Sequence, residues 1–392
     1  MISVEEALNY IDAAKVNLET GKIPLSASLN KILAADVISP INMPPFRQSA
    51  VDGYAVCFNG SLTYRLMAEA KAGDAISRSL NSGEAMRIFT GAMVPEGADT
   101  IVPQEDIEKE NTVIKLTKKI PKQANIRPLG EQVQEGDRVL TTGQKLTPAT
   151  IGFLAGLGIT EVSVFKTPKV SVVVTGNELQ KPGTELQKGK IYESNGLMLA
   201  MALQNMDVTS INKFSVKDNF TATKDTLNKA MDGSDLMLVS GGISVGDYDF
   251  VKQALKENGV EEIFYKVWQK PGKPLWFGKK GNKYVFALPG NPASALTSFY
   301  VYVWPLLHKM KGYISGHLPR VKGVSLHDFP NKKGKALFLK AYLNPDQKLE
   351  ILTGQQSSML RSFAKSNVLA YIPANRNMIK KGDIITCIKL PE

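Results

Sequence analysis

The chain has 392 residues, 43% of them hydrophobic, which is enough for two to four domains of about 100–200 residues each. No apolar run reaches the ~18 residues that a membrane span needs, so no membrane partner is expected. The formal net charge is +11, which asks for an anionic partner. The charge is dispersed, however. Its densest clusters, Lys118-Lys119 and Lys332-Lys333-Gly334-Lys335, are short, and aromatic residues do not interleave with them. That pattern reads first as solvated loops and argues against nucleic acid; a membrane surface and a phosphorylated small molecule are the other anionic partners such a balance suggests.

Cys57 and Cys387 lie far apart and read as reduced thiols. His308, His317 and His327 show no metal-ligand spacing. A metal here would be a hard cation held by carboxylates and phosphates. The opening Met1-Ile2-Ser3-Val4-Glu5-Glu6 lacks the basic start and apolar stretch of a signal peptide, so a cytoplasmic location is expected.

In chain order, Ser3 and Glu6 form a capping box for a first helix, in which Leu8, Ile11 and Ala14 recur at helical spacing. Pro24 ends that region. The Pro-rich stretch Ser39-Pro40-Ile41-Asn42-Met43-Pro44-Pro45 reads as a linker. From 46 to 129, short β-like runs alternate with Gly and Asp turns, the pattern of a small β domain. Thr147-Pro148 starts a second helix that stops at Gly158. The two helices flank the β-rich part, so they could pack together; the β domain would then be an insertion.

From about 168 to 310, strands and helices alternate. Strands are expected at 170–174, 208–211, 236–239 and 284–288, with helices at 195–204, 222–231 and 250–256 and a long one from Pro292. Strands without polar alternation, joined by helices, imply a parallel α/β sheet. The last ~70 residues are again β-rich, with expected strands at 336–343, 349–352, 368–372 and 384–388, and imply a small β-barrel.

Ligands of an open parallel sheet bind at the carboxyl ends of its strands. Those ends carry Thr175-Gly176-Asn177-Glu178, Lys217-Asp218, a segment running from Ser240-Gly241-Gly242-Ile243-Ser244 to Asp249, and Pro289-Gly290-Asn291-Pro292-Ala293-Ser294. Gly241 and Gly242 remove side chains where a phosphate or ring could approach. Glu178, Asp218 and Asp249 would converge near one mouth, and carboxylates beside phosphates suit magnesium. Taken singly, each loop also reads as a cap or turn. Pro271-Gly272 makes a turn that lets Lys270 and Lys273, with Lys266 nearby, share a face for phosphate or molybdate; a solvated basic turn is the other reading. There is no G-x-x-x-x-G-K-[ST] segment. Gly156-Leu157-Gly158 lacks the third glycine of a dinucleotide fingerprint, because Glu161 stands there.

Together these segments resemble the molybdopterin molybdenumtransferase family, the MoeA-type proteins, which includes the homologous C-terminal part of gephyrin. The residues that carry the resemblance are Pro44-Pro45-Phe46 with Ser49-Ala50-Val51-Asp52-Gly53-Tyr54-Ala55; Thr90-Gly91-Ala92; Pro103-Gln104-Glu105; Asn125-Ile126-Arg127 with Gly130-Glu131; Thr175-Gly176-Asn177-Glu178-Leu179; Ser240-Gly241-Gly242-Ile243-Ser244-Val245-Gly246; Lys270-Pro271-Gly272-Lys273-Pro274; and Leu288-Pro289-Gly290-Asn291-Pro292.

The resemblance implies an α/β multidomain chain in four parts. These are an elongated linker and dimerisation domain (1–45 plus 130–167), an inserted β-rich domain (46–129), a three-layer parallel α/β molybdopterin-binding domain (168–315) and a C-terminal β-barrel (316–392). It implies a homodimer whose active site lies between the α/β domain of one subunit and parts of the other, with contact to a molybdopterin adenylyltransferase as a further possibility. The implied substrates are adenylyl-molybdopterin and molybdate, with Mg2+ as cofactor. AMP leaves and molybdenum is bound by the dithiolene sulfurs.

Carried over by position, Glu178, Asp218 and Asp249 manage metal and nucleotide, while Asp52 and Thr90 act across the cleft. Gly241, Gly242, Ser244 and Asn291 line the ligand. Lys266, Lys270, Lys273 and Ser294 hold phosphate or molybdate, Pro289 and Pro292 shape their loop, and Ser358 lies near the oxyanion. Two departures stand out. Gln132 replaces a family carboxylate, and Lys335 and Lys340 replace arginines, losing the planar fork that grips an oxyanion; Arg361 is a candidate substitute. Adenylylation of molybdopterin with ATP, or a gephyrin-like scaffold role, are the alternative functions.

Overall fold

The computed structural model describes residues 1–243, 250–332 and 334–391. The chain divides into two compact units, one made of Met1–Gly21, Asn30–Ala34 and Val164–Glu392, the other of Lys22–Leu29 and Ala35–Ser163.

The first helix, α1 (Val4–Asp12), has the expected capping box: the Glu6 N–H donates to Ser3 Oγ at 3.1 Å and the Ser3 N–H donates to the Glu6 carboxylate at 2.7 Å. Its buried face of Val4, Ala7 and Ile11 joins the core of the α/β unit and packs on helix 304–310. Helical periodicity identifies a buried face but not the surface it meets.

The second unit carries a six-stranded sheet built from β1 (Gly53–Val56), β2 (Thr63–Ala70), β3 (Glu84–Ile88), β4 (Thr100–Pro103), β5 (Ile107–Glu110) and β6 (Val113–Leu116), in the order β4-β1-β3-β2-β6-β5. The β2–β3 pair is parallel and the others are antiparallel. Strand period decides the packing: Ala55, Met86 and Ile101 fill one face, and Tyr54, Val56 and Val102 the other. Helix α2 (Pro148–Gly156) follows, capped by Thr147.

In the α/β unit, β7 (Val170–Thr175), α3 (Asn195–Gln204), β8 (Ile211–Val216), α4 (Phe220–Asp232), β9 (Leu236–Ser240), α5 (Val251–Glu257), β10 (Glu261–Tyr265), β11 (Trp276–Lys280) and β12 (Lys283–Leu288) form a sheet with flanking helices. The strand order is β8-β7-β9-β12-β11-β10. The four strands β8, β7, β9 and β12 are parallel, as the unalternating apolar runs predict. β11 and β10 extend the sheet antiparallel, which the sequence reading lacked. One face packs on α1 and α3, the other on α4 and α5, giving three layers. The expected long helix from Pro292 is α6 (Pro292–Ser298), a π-helical turn at Phe299–Val303, and α7 (Trp304–Met310).

β13 (Arg320–Ser325), β14 (Ala336–Leu343), β15 (Lys348–Ile351), β16 (Val368–Ile372) and β17 (Ile384–Lys389) close into the expected barrel, because β14 pairs with both β15 and β16. The short strand Gln269–Lys270 adds to β14 in parallel.

Candidate functional site

The carboxyl ends of β7, β9 and β12 open into a cleft of about 600 Å³. Its lining brings together Glu178, Asp218, Gly241, Gly242, Pro289, Asn291, Pro292 and Ser358 from the expected set. The topology explains the convergence: parallel neighbours end at one edge, and their loops share a mouth. Asn177 and Asp218 lock two of these loops together. The Asn177 N–H donates to Asp218 Oδ2 at 3.0 Å, and the Asp218 N–H donates to Asn177 Oδ1 at 3.2 Å.

Gly241 sits at φ +99°, and a Cβ there would lie 2.7 Å from both the carbonyl and the hydroxyl oxygen of Thr175. A side chain at Gly242 would likewise meet Val251 at 2.7 Å, so glycine is required at both positions, and both line the cleft. Ser244 and Asp249 lie outside the described residues. Among the described residues no group of three or more His, Cys, Asp or Glu side chains could hold a metal by itself. Glu178 and Asp218 remain, and magnesium commonly takes one or two carboxylates plus substrate phosphates.

Thr175 and Ser240, named in the strand-end loops without a role of their own, also line the cleft, as do Glu193 and Asn195, which the sequence reading missed. Asn195 Nδ2 donates to Ser240 Oγ at 2.8 Å and to the Gly290 carbonyl at 2.7 Å. Its Oδ1 and the hydroxyl of Thr175, which is 6% exposed, are buried with no hydrogen-bond partner among the described residues. Buried polar atoms without partners are costly, and a bound polar ligand would satisfy them. In sequence, Thr175 belongs to a strand-end loop but has no assigned role, and Asn195 looks like the start of a helix and signals no ligand.

The lysines are not gathered in this cleft. Lys270 lines a second cavity of about 240 Å³ with Lys332, Lys335 and Gln355. The Lys335 ammonium lies 4.7 Å from the centre of the Trp268 ring, and that of Lys266 lies 4.6 Å from the Tyr265 ring. Lys273 is exposed and lines neither cavity. Ser294 is buried in the first turn of α6, where its N–H donates to the carbonyls of Asn291 and Ser357. Lys340, expected at an oxyanion, is buried, and its ammonium donates to three backbone carbonyls. Arg361 is exposed.

In the second unit, Asp52 and Thr90 do meet. Asp52 Oδ1 accepts the Thr90 N–H at 2.8 Å and the Thr90 hydroxyl at 2.7 Å. These bonds, aided by the Arg87 charge, hold the Asp52 carboxyl below its ordinary range. Gln132 is exposed, with its N–H donating to the Met43 carbonyl.

Profiles of known families match three stretches of the chain: the MoeA N-terminal region (domain I and II) over residues 2–158, a probable molybdopterin binding domain over 171–309, and the MoeA C-terminal region (domain IV) over 322–390. The molybdopterin molybdenumtransferase of Haemophilus influenzae is 36% identical over 396 residues, 98% of each chain. The chain belongs to the molybdopterin molybdenumtransferase family. Molybdopterin molybdenumtransferase 2 of Mycobacterium tuberculosis is 35% identical over 90% of each chain. Two structures of the molybdopterin biosynthesis MoeA protein of Pyrococcus horikoshii match with TM-scores of 0.86 and 0.83, at 29% and 28% identity, over at least 99% of each chain. As a molybdotransferase-type enzyme, the chain has its molybdopterin-binding match over the part that forms the cleft, from β7 to α7.

Proposed function

We propose that this enzyme inserts molybdenum from molybdate into adenylylated molybdopterin, hydrolysing the adenylyl bond and releasing AMP. The observation that carries the reading is the cleft itself. Bare backbone at Gly241 and Gly242, the carboxylates of Glu178 and Asp218, and the unpartnered Thr175 and Asn195 share one mouth at the carboxyl edge of the sheet. The glycines give room for a ring or phosphate. Thr175 and Asn195 orient polar edges of the bound molecule, since a polar ligand gives each a hydrogen-bond partner. Glu178 and Asp218, with Asp249 by family position, would hold Mg2+ against the phosphates. When bound, that ion supplies Lewis-acid polarisation at phosphorus and charge neutralisation.

The second cavity, with Lys270, Lys332 and Lys335, suits an oxyanion such as molybdate, and the Lys266, Lys273 and Ser294 positions keep only family support. Asp52 and Thr90 belong to the same reaction by family position, with Thr90 orienting an ionised Asp52. A homodimer and the four-part division follow from the family as well. The free thiols Cys57 and Cys387 suit the reducing cytoplasm. Adenylylation is the weaker reading, since the resembling adenylyltransferases lack the β insertion and the barrel.

The test is AMP release from adenylyl-molybdopterin with magnesium, with and without molybdate. Molybdate-stimulated release is expected, giving a product that reconstitutes a cofactor-free molybdoenzyme. Asp218→Asn should slow release at least tenfold in folded protein; an unchanged rate would remove Asp218 from the site.

A further inference from the structure

Lys340 lies in the middle of β14 and is only 2% exposed. A charge in such a place must be met by partners. Its partners are the carbonyls of Gly354 at 2.7 Å, Gln356 at 3.2 Å and Met359 at 3.0 Å. An ammonium has three donors, and all three are committed. The acceptors belong to a single loop, 354–359.

The backbone of Lys340 braces the same loop again. Its N–H donates to Gln355 Oε1 at 3.0 Å, and Gln355 Nε2 donates to the Lys340 carbonyl at 2.8 Å and the Leu352 carbonyl at 2.7 Å. From the loop's far side, the Ser362 hydroxyl donates to the Gly354 carbonyl at 2.7 Å.

The other edge of this loop belongs to the site. Asn291 Nδ2 donates to Ser357 Oγ at 2.9 Å, and the Ser357 carbonyl accepts the Ala293 N–H at 3.1 Å in the first turn of α6. Ser358 lines the cleft, while Gln355 lines the basic cavity. One loop therefore supplies wall to both cavities, and one buried cation ties it down.

We propose that Lys340 is a positioning residue: its ammonium, committed to the carbonyls of 354–359, sets the loop that presents Ser358 to the cleft and Gln355 to the basic cavity, and does not itself bind the anionic substrate. An oxyanion reaching for it would have to replace a carbonyl already in place. What the two cavities hold rests on the proposed function; the tethering of the loop does not.

The experiment compares the full chain with Lys340→Met, Lys340→Gln, Ser358→Ala and the Lys340→Met/Ser358→Ala double variant. Amide hydrogen exchange over 354–359 is read first and needs no substrate. At least tenfold faster exchange is expected in Lys340→Met, with β13, β16 and β17 protected as in the parent. Unchanged loop exchange in a folded variant overturns the proposal. If Lys340→Met does not fold, Lys340→Gln, which keeps a shorter donor, carries the same measurement.

AMP release is read second. Ser358→Ala is expected to lower kcat about tenfold and Lys340→Met at least as much. The double variant should fall no further than Lys340→Met, because the serine is already displaced. Multiplying losses, or a Ser358→Ala with full activity, would overturn it. A parent chain that releases no AMP defeats the functional reading instead, and loop exchange then decides the role of Lys340.

Discussion

Asp52 shows what a single carboxylate contributes when two donors of one threonine converge on it. Its folded pKa lies below the unfolded value because both Thr90 bonds favour the charged form. Stability from this group is therefore present above the unfolded pKa and is lost as pH falls through the folded one. Between about pH 5 and pH 2, melting temperature should fall less steeply in Asp52→Asn than in the parent chain; parallel curves would show that the pair is energetically silent. Asp52, an acid before a glycine, reads by itself as a turn residue; both it and Thr90 were legible as site residues only through the family. Lys340 and Lys335 look alike in sequence, as lysines bounding the apolar run 336–339, and only burial separates a tether from a cavity wall.

At the scale of elements, the turn that follows β9 is constrained at Gly241. A Cβ at Gly241 would press on Thr175, and its positive φ disfavours any side chain. Gly241→Ala should cost about 1–3 kcal/mol in denaturant unfolding and lower AMP release further by displacing Thr175 in the cleft wall. Full stability in the variant would mean that the loop relaxes freely. The elements that sequence revealed are those with a single physical cause. β7, β9 and β12 are short apolar runs buried on both faces, and α1 and α2 announce their caps. Those it did not reveal mix signals. β10 opens with Glu261-Glu262, β11 ends on Lys279-Lys280, and β13 carries Arg320, Lys322 and Gly323, so no apolar period emerges. The break between α6 and α7 was equally hidden, because apolar spacing continues through the π turn.

Over the whole molecule, the α/β sheet and the barrel share more than a connecting segment. Phe338, Leu369 and Ile388 of the barrel lie in the same apolar cluster as Val4, Ile11 and Leu306. Tyr371 donates its hydroxyl to the Glu5 carboxylate, and that bond, after burial, helps push its pKa well above the ordinary range. Gln269 and Lys270 pair with Ala336 and Leu337, and Ser357 accepts the Ala293 N–H. Burial of one large apolar side chain contributes about 1.5–3 kcal/mol, so this seam should outlast the covalent link beside it. Ile314, in that link, is 91% exposed. A chain carrying an engineered protease site there should, once nicked, still elute as one species and release AMP; separation of the pieces at micromolar concentration would disprove it.

The same seam has a kinetic consequence. Because the barrel supplies Ser358 to a cleft otherwise built at the edge of the sheet, the nicked enzyme would become a two-fragment complementation system. Dilution would silence it, mixing would restore it, and its rate would report an association constant that the intact chain conceals within a single molecule.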